Sequence, residues 1–187
     1  MSIEDKLKKI NTLQREISKQ SPPFTEWDSE FMEKVKVDFT YSSNKLEGNK
    51  VTYGQTIQIL KDLVTPKDTS LSDYLDIVNH KNVLDLVFED FKSQRISEAS
   101  IKKLHRELMK NPAQWSDEIH YDPGKYKILD NLTYRSNGKM HIYASPQQVA
   151  SAMTGLIRAT NQSLEKVDTN STTHHPLAIA NAFHLAF

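Results

Sequence analysis

Apolar residues recur at intervals of three and four along most of this 187-residue chain, which is the spacing of amphipathic helices. Leu7, Ile10, Leu13 and Ile17 predict a first helix over residues 3–18. The same period predicts helices over residues 26 to the low forties, 54–64, 72–91, 97–111 and 145–157, and from about 175 to the end. The pattern therefore predicts a mainly helical protein.

Capping signals support several of these helices. Thr52 and Gln55 have the spacing of a capping box, and Ser97 is placed to cap the helix that follows it. Ser145-Pro146 supplies a cap and then a proline at the first helical position. In the second helix, Phe31, Val35 and Phe39 lie on one side.

The helical period breaks down between Tyr126 and Ala144, where two apolar runs flank Asn137-Gly138. Asn-Gly tolerates the positive φ angles of a tight turn, so this segment is predicted to be a two-stranded β-hairpin. Tyr126, Tyr134 and Tyr143 are expected to pack against the body of the protein, while an exposed edge of the hairpin could pair with an extended target segment. The predicted fold class is all-α, a helical bundle with one β-hairpin.

Composition narrows the classes of function. Lys plus Arg equal Asp plus Glu, 24 against 24, so neither nucleic acid nor an anionic membrane is an expected partner. The chain has no cysteine, which excludes a disulfide scaffold and a thiolate nucleophile. No apolar run is as long as a membrane span and the first residues lack a signal peptide, which favours a cytoplasmic protein. Its five glycines form neither a Rossmann nor a phosphate-loop pattern.

The segment Ser43-Asn44-Lys45-Leu46-Glu47-Gly48-Asn49 places a hydroxyl and a carboxylate four residues apart. On a short helix, that spacing brings Ser43 and Glu47 to one face, and Gly48-Asn49 is suited to end the helix. Taken alone, the segment also fits a solvated helix end that is stabilised by local hydrogen bonds. The features that follow it along the chain favour a functional role.

Those features form an ordered series: Val51-Thr52, Asn79, Leu104-His105, Gly124-Lys125-Tyr126-Lys127, Pro146 at a helix start, then Ala180, His184 and Phe187. In this order they resemble Fic-family proteins in which an inhibitory motif precedes the core: Ser or Thr, three free positions, Glu, and then Gly or Asn. Lys127 stands where the family more often has Arg, which keeps the charge but loses bidentate geometry. The resemblance spans roughly residue 30 to the last residue.

The resemblance implies a protein adenylyltransferase that uses ATP and Mg²⁺ to transfer AMP to a Ser, Thr or Tyr hydroxyl of a target protein. It implies autoinhibition through Ser43, Glu47 and Gly48, with Glu47 paired to a catalytic-loop arginine so that the γ-phosphate of ATP cannot reach it. It makes the hairpin, at about 126–144, a flap that docks the target. The candidate docking residues are Tyr126, Lys127, Thr133, Asn137 and Gly138.

The same resemblance implies an N-terminal helical region at 1–66, with the inhibitory helix at about 41–48, and a Fic-like core at 67–187. The family's catalytic loop, His-Pro-Phe-x-Asp-Gly-Asn-Gly-Arg, is expected after Phe187. No catalytic residue is therefore assigned here, and the 187 residues alone are predicted to be inactive. The alternative function is a non-catalytic Fic-like remnant or a regulatory protein-binding module.

A rival alignment places a degenerate catalytic loop at residues 175–183, where His175, Pro176 and Asn181 stay in register. It lacks the acidic metal ligand, both glycines and the Arg, and a helix that begins at Pro176 explains the segment better. His174-His175 has no further metal ligands at a recognisable spacing, so no metal site is predicted. The target protein and the formation of a homo-oligomer are left open.

Overall fold

The computed structural model describes residues 1–20, 29–90, 95–110 and 122–187. These residues form seven helices and a two-stranded antiparallel sheet, which confirms the predicted all-α fold with a hairpin. In chain order the elements are α1 (Ile3–Gln20), α2 (Ser29–Leu46), α3 (Tyr53–Leu60), α4 (Leu71–Asp90), α5 (Glu98–Leu108), β1 (Leu132–Tyr134), β2 (Met140–Ile142), α6 (Pro146–Leu164) and α7 (Pro176–Ala186). The parts of the predicted helices at 26–28, 91 and 111 lie outside the described residues.

Contacts within the chain divide it into two compact units. The central unit comprises residues 29–149, and the terminal unit combines residues 1–28 with residues 150–187. Helices α2 and α3 both pack against α4 within the central unit. No helix in the described stretches is long and apolar enough to pass through a membrane.

The core of the central unit lies around α4. Val51, Ile59 and Ile77 are buried together, so the core includes the segment that joins α2 to α3. Three partly buried residues pack against this cluster: Leu60, Tyr74 and Val78. Helices α2, α3 and α5 all pack against α4, so this helix positions the three of them.

Capping hydrogen bonds determine where α3 begins. The N–H of Thr52 donates to Oε1 of Gln55 (2.9 Å), and the N–H of Gln55 donates to Oγ1 of Thr52 (3.3 Å), which confirms the predicted capping box. The helix ends at Leu60, before the predicted Val64. Leu63 adopts a left-handed φ of +54°, a conformation that an α-helix cannot contain.

The buried side of α2 is not the side that carries Phe31 and Phe39. Phe31 and Phe39 are 50% and 56% exposed, whereas Val37, Thr40 and Asn44 are buried. The helix therefore buries one valine and two polar residues and leaves two phenylalanines at the surface.

Polar contacts satisfy the buried groups of α2, and two of these contacts connect α2 to α4. Asn44 Nδ2 donates to the carbonyl oxygen of Thr40 (2.9 Å), and Oγ1 of Thr40 lies 3.1 Å from Nδ1 of His80 on α4. Farther along the same interface, Nζ of Lys36 lies 2.6 Å from Oδ1 of Asp85. Burial lowers the pKa of His80, which keeps its ring neutral at this contact. Buried polar groups that are hydrogen-bonded in this way add specificity to the packing of two helices.

In the terminal unit, a chain of hydrogen bonds connects α1 to the segment before α7. Asn11 Nδ2 donates to the carbonyl oxygen of Thr169 (2.5 Å), and Oδ1 of Asn11 lies 3.0 Å from Nε2 of His175. Nδ1 of His175 accepts the N–H of Leu177 (3.2 Å), so Nε2 carries the proton and donates to Asn11. Asn11 and His175 are both buried, and these bonds satisfy their side-chain polar atoms.

Candidate functional site

The segment that carries Ser43 and Glu47 is the last turn of the 18-residue helix α2 and the residues just after it. It is not a separate short helix, as the sequence had suggested. Helix α2 continues through this segment because its buried face, including Asn44, remains packed against the central unit. The candidate regulatory residues are therefore supported by a long helix.

The end of α2 is a Schellman motif. The N–H of Asn49 donates to the carbonyl oxygen of Asn44 (3.0 Å), and the N–H of Gly48 donates to that of Lys45 (3.2 Å). Gly48 has a φ of +92°, a value that favours glycine at this position. The predicted helix end at Gly48-Asn49 is confirmed.

Asn49 fixes this helix end to the start of α4. Its Nδ2 donates to the carbonyl oxygen of Asp73 (3.0 Å), while its Oδ1 accepts the N–H of Val51 (3.0 Å). The Asp73 carboxylate accepts the N–H of Lys50 (3.3 Å) and the hydroxyl of Ser70 (2.8 Å). Because Asn49 and Val51 are buried, the residues on the C-terminal side of Glu47 have a fixed path.

Ser43 and Glu47 lie on the same side of the last turn. The N–H of Glu47 donates to the carbonyl oxygen of Ser43 (3.3 Å), as i and i+4 residues of a helix do. Ser43 is half-buried, whereas Glu47 is exposed. Within the described part of the chain, the Glu47 carboxylate has no hydrogen-bond or ion-pair partner. A rigid helix end thus presents a carboxylate that is available to a cation.

The second candidate region is the hairpin of β1 and β2. Leu132 pairs with Ile142 and Tyr134 with Met140, and the N–H of Arg135 donates to the carbonyl oxygen of Lys139 (2.9 Å). A hydrogen bond from the N–H of Gly138 to the carbonyl oxygen of Arg135 (2.8 Å) closes the turn, and Gly138 has a φ of +76°. This geometry is a three-residue hairpin loop with glycine in the left-handed position, so the predicted turn at Asn137-Gly138 is confirmed.

The expectation that the hairpin tyrosines pack against the body was wrong for two of the three. Tyr134 and Tyr143 are 70% and 44% exposed, while Tyr126 is half-buried before the hairpin begins. Cross-strand pairs share a face, so one face of the hairpin is apolar and consists of Leu132, Tyr134, Met140 and Ile142. No other strand in the described residues pairs with either outer edge. The hairpin therefore offers two open edges.

The docking candidates occupy different places on this hairpin. Thr133 lies opposite His141 on the face that is not apolar. The Lys127 ammonium donates to Oδ1 of Asn131 at the base of the hairpin. Asn137 Oδ1 accepts the N–H of Lys139 (3.0 Å) within the turn. Their role in binding a target stays a prediction, as does the placement of the hairpin beside Glu47.

The root of the hairpin is packed tightly onto α5. Gly124 is buried and has a φ of +81°, and its N–H donates to Nδ1 of His105 (2.8 Å). Nζ of Lys102 lies 3.9 Å from the ring centroid of Tyr126, in a cation–π contact. Burial raises the pKa of the Tyr126 hydroxyl, and the charge of Glu98 adds to this effect. These contacts hold the start of the hairpin against a helix of the central unit.

The stability of this root is expected to depend on pH. His105 Nδ1 accepts a hydrogen bond from Gly124 and must be unprotonated there, and burial lowers the pKa of His105. The unfolded chain therefore binds this proton more readily than the folded chain. The stabilising contribution is fully present above about pH 6.5 and is lost as the pH falls from that value through the lower pKa of the folded state. Thermal unfolding measured at about pH 7.5 and at about pH 5 checks this loss of stability.

The control for the pH experiment is His105→Gln, because a glutamine side-chain oxygen accepts a hydrogen bond at both pH values. The difference in stability between wild type and this variant should be small at the higher pH and shift in favour of the variant at the lower pH. A difference that is independent of pH would contradict the proposed role of the His105 contact.

The structure also bears on the rival catalytic alignment. His175 is the N-cap of α7 and is 4% exposed, with Pro176 at the first helical position. Its two ring nitrogens are engaged by Asn11 and by the N–H of Leu177, which confirms the interpretation of His175 as a helix-start residue. No group of three His, Asp or Glu residues in the described stretches could hold a metal ion.

Sequence reasoning missed the contacts that fix these regions, namely Asn49 with Asp73, His105 with Gly124, and Lys102 with Tyr126. The Ser70 and Asp73 spacing is a local signal for a helix start, and it could have indicated where α4 begins. The other contacts join residues far apart in the sequence, and no local pattern predicts them.

Comparison with solved structures identifies similar folds. A Fic domain containing signaling protein from Bacteroides thetaiotaomicron superposes with a TM-score of 0.70 and 28% identity, over 88% of this chain and 58% of that chain. A Fic family protein from Desulfovibrio desulfuricans superposes with a TM-score of 0.73 and 15% identity, over 100% of this chain and 51% of that chain. No protein-family model matches the chain, and no curated protein matches it significantly.

The chain has the helical Fic fold, and the first of these similarities supports its assignment to the Fic family. It spans less than two thirds of the length of either similar protein.

Proposed function

We propose that this chain supports Fic-type transfer of AMP from ATP to a hydroxyl of a target protein, and that Glu47 restrains the reaction. The observation that carries the proposal is the presentation of Glu47 in a Fic fold. Its carboxylate is exposed, has no partner among the described residues, and sits on a helix end fixed by the Asn49 and Gly48 hydrogen bonds.

The restraint follows from the chemistry of an available carboxylate. Arginine binds a carboxylate through two parallel charged hydrogen bonds, and it binds a phosphate in the same way. A catalytic-loop arginine paired with Glu47 is therefore withheld from the γ-phosphate of ATP. The fixed end of α2 matters because a mobile carboxylate would bind the arginine less well than the γ-phosphate does.

The hairpin supplies a means of positioning the target. Hydrogen-bonded pairs alternate along an antiparallel ladder, and Arg135 with Lys139 and Asn131 with Tyr143 are such pairs. The backbone N–H and C=O groups of the residues between them in the ladder, Leu132 and Tyr134 on β1, consequently point to the open edge. An extended target segment that pairs with this edge would hold its hydroxyl in a fixed register.

The reaction transfers a nucleotidyl group. The target hydroxyl oxygen bonds to the α-phosphorus of ATP, the bond from that phosphorus to the bridging oxygen breaks, and pyrophosphate leaves. The hydroxyl proton passes to a general base, a role that the family resemblance gives to the histidine of the catalytic loop. The described residues offer no cluster of metal ligands, so no step is assigned to a magnesium ion bound by them.

Radiolabelled ATP tests the proposed reaction. The protein used is the chain continued through a catalytic loop, and it carries Glu47→Gly to release the restraint. It is incubated with Mg²⁺ and with ATP that is labelled at either the α- or the γ-phosphate. AMP transfer predicts label on protein from α-labelled ATP only, whereas the 187 residues alone should incorporate none. Label from γ-labelled ATP, or none from α-labelled ATP, would contradict the proposal.

A further inference from the structure

The hairpin has two chemically different faces, and this difference bears on which target segments it can hold. The apolar face consists of Leu132, Tyr134, Met140 and Ile142, which are 51%, 70%, 53% and 62% exposed. Side chains of this kind seldom lie together at the surface without a partner. The face is thus available to apolar side chains of another molecule.

The opposite face carries Tyr143 at its base, packed against His141, and is polar and positively charged toward the turn. Thr133 pairs with His141, and Arg135 lies beside Lys139 on the same face. Arg135 donates to Nδ1 of His141 (3.1 Å), and the Lys139 ammonium has no partner in the described part of the chain. Residues 131–144 contain Arg135 and Lys139 but no Asp or Glu. Side chains of a target that lie beside this face near the turn are best matched by hydroxyl and acidic groups.

We infer that the hairpin selects an extended target segment in which apolar residues alternate with polar ones, the acceptor hydroxyl among the polar residues and an acidic residue near the turn. This inference rests on the proposed function and adds a side-chain preference to it. A strand paired with an open edge points alternate side chains to opposite faces. Its apolar residues then pack beside Leu132 and Tyr134, or beside Met140 and Ile142, while the intervening residues lie on the polar face.

Because of the hydrogen-bonding geometry of the edge, the apolar preference on one face and the polar preference on the other depend on the same register. The outward N–H and C=O groups belong to the residues of the apolar face, so a target residue directly opposite Leu132 shares that face. A shift of the target by one residue would place polar side chains on the apolar face and apolar ones beside Thr133 and Arg135. Such a shift is disfavoured, and the alternation of the target therefore fixes its register.

Peptide binding to the 187-residue chain tests the inference without AMP transfer. The probe is a fluorescein-labelled peptide of ten residues in which valine alternates with threonine and glutamate replaces the last threonine. A second peptide has serine in place of valine. Fluorescence anisotropy should show that the valine peptide binds at least tenfold more tightly. Equal affinity would overturn the inferred preference and leave docking through the main chain, and with it the proposed function, intact.

Variants identify the surface that binds. Leu132→Thr together with Ile142→Thr keeps strand-forming side chains but removes the centre of the apolar face, and should abolish the preference for the valine peptide. The matched control is Val64→Thr, an exposed position outside the hairpin, which should leave binding unchanged. Lys139→Gln should reduce the affinity for the valine peptide, which carries the glutamate, and should weaken the dependence of that affinity on salt.

Sedimentation of the chain tests another occupant of the same face. If a second copy of the chain covers the apolar face, wild type is a dimer, the double variant is a monomer, and the valine peptide does not bind wild type. That result would overturn the inference. A wild-type chain that stays monomeric and binds the valine peptide supports it.

Discussion

Glu47→Gly is expected to raise AMP transfer by about tenfold or more in a chain continued through a catalytic loop, because about 1.5–3 kcal/mol is typical of a charged hydrogen bond and 1.4 kcal/mol corresponds to tenfold. Glu47 is exposed on the end of α2, so its removal creates no cavity in the core. The rate of label incorporation from α-labelled ATP measures the effect.

Three further variants separate the charge from other causes. Glu47→Gln keeps the size of the side chain and loses its charge, so it should be activated nearly as strongly as Glu47→Gly. Ser43→Ala should be activated more weakly, since Ser43 carries no charge. Glu89→Gln removes another exposed carboxylate, near the end of α4, and should leave the rate unchanged. Equal rates in wild type and Glu47→Gly would mean that this segment is only a helix end.

Gly124→Ala is expected to destabilise the hairpin root by more than about 2 kcal/mol, because left-handed strain and overpacking each cost about 1–3 kcal/mol. A Cβ at this position would lie 2.8 Å from the carbonyl oxygen of Lys102 and 3.0 Å from Nε of Arg106, and Gly124 has a φ of +81°. Backbone on α5 cannot move aside as a flexible side chain could. Urea unfolding followed by circular dichroism measures the change.

Gly155→Ala is the matched control for this substitution. Gly155 lies inside α6, and a Cβ there would meet nothing within 4 Å. Because alanine is a better helix former than glycine, the control should gain about 0.5–1 kcal/mol. If Gly124→Ala were as stable as wild type, the close packing of the hairpin root on α5 would be contradicted.

Helix ends and turns were the features that the sequence predicted best. The Thr52 and Gln55 capping box, the helix stop at Gly48-Asn49 and the turn at Gly138 each depend on residues within a few positions of one another. Short-range hydrogen bonds and the permitted φ of glycine decide these features, so a local pattern is sufficient to find them.

Which side of each element is buried was harder to predict. Thr40 and Asn44 are buried in place of Phe31 and Phe39, because Thr40 meets His80 on a helix that begins far along the chain. Likewise, alternating apolar residues predicted the hairpin, but Tyr134 lies in solvent. Periodicity shows that an element has two faces, and only the packing of distant elements decides which face is covered.

In the candidate site, too, local features were predicted from the sequence and long-range contacts were not. The spacing of Ser43 and Glu47 and the role of Gly48 in ending the helix were visible in the sequence. The contacts that make the site rigid were not, since Asn49 bonds to Asp73 and Gly124 to His105 across many intervening residues. Such contacts depend on how α4 and α5 are placed, and a single sequence carries no local sign of that placement.

The central claim is that the carboxylate of Glu47 competes with the γ-phosphate of ATP for an arginine. It is tested most directly by calorimetric titration of the loop-bearing chain with α,β-methylene analogues of ATP and ADP, which cannot transfer AMP. The account predicts that Glu47→Gly binds the ATP analogue about tenfold more tightly than wild type does, as expected for one recovered charged contact, while affinity for the ADP analogue changes little. An equal change for both analogues, or none for either, would contradict the claim.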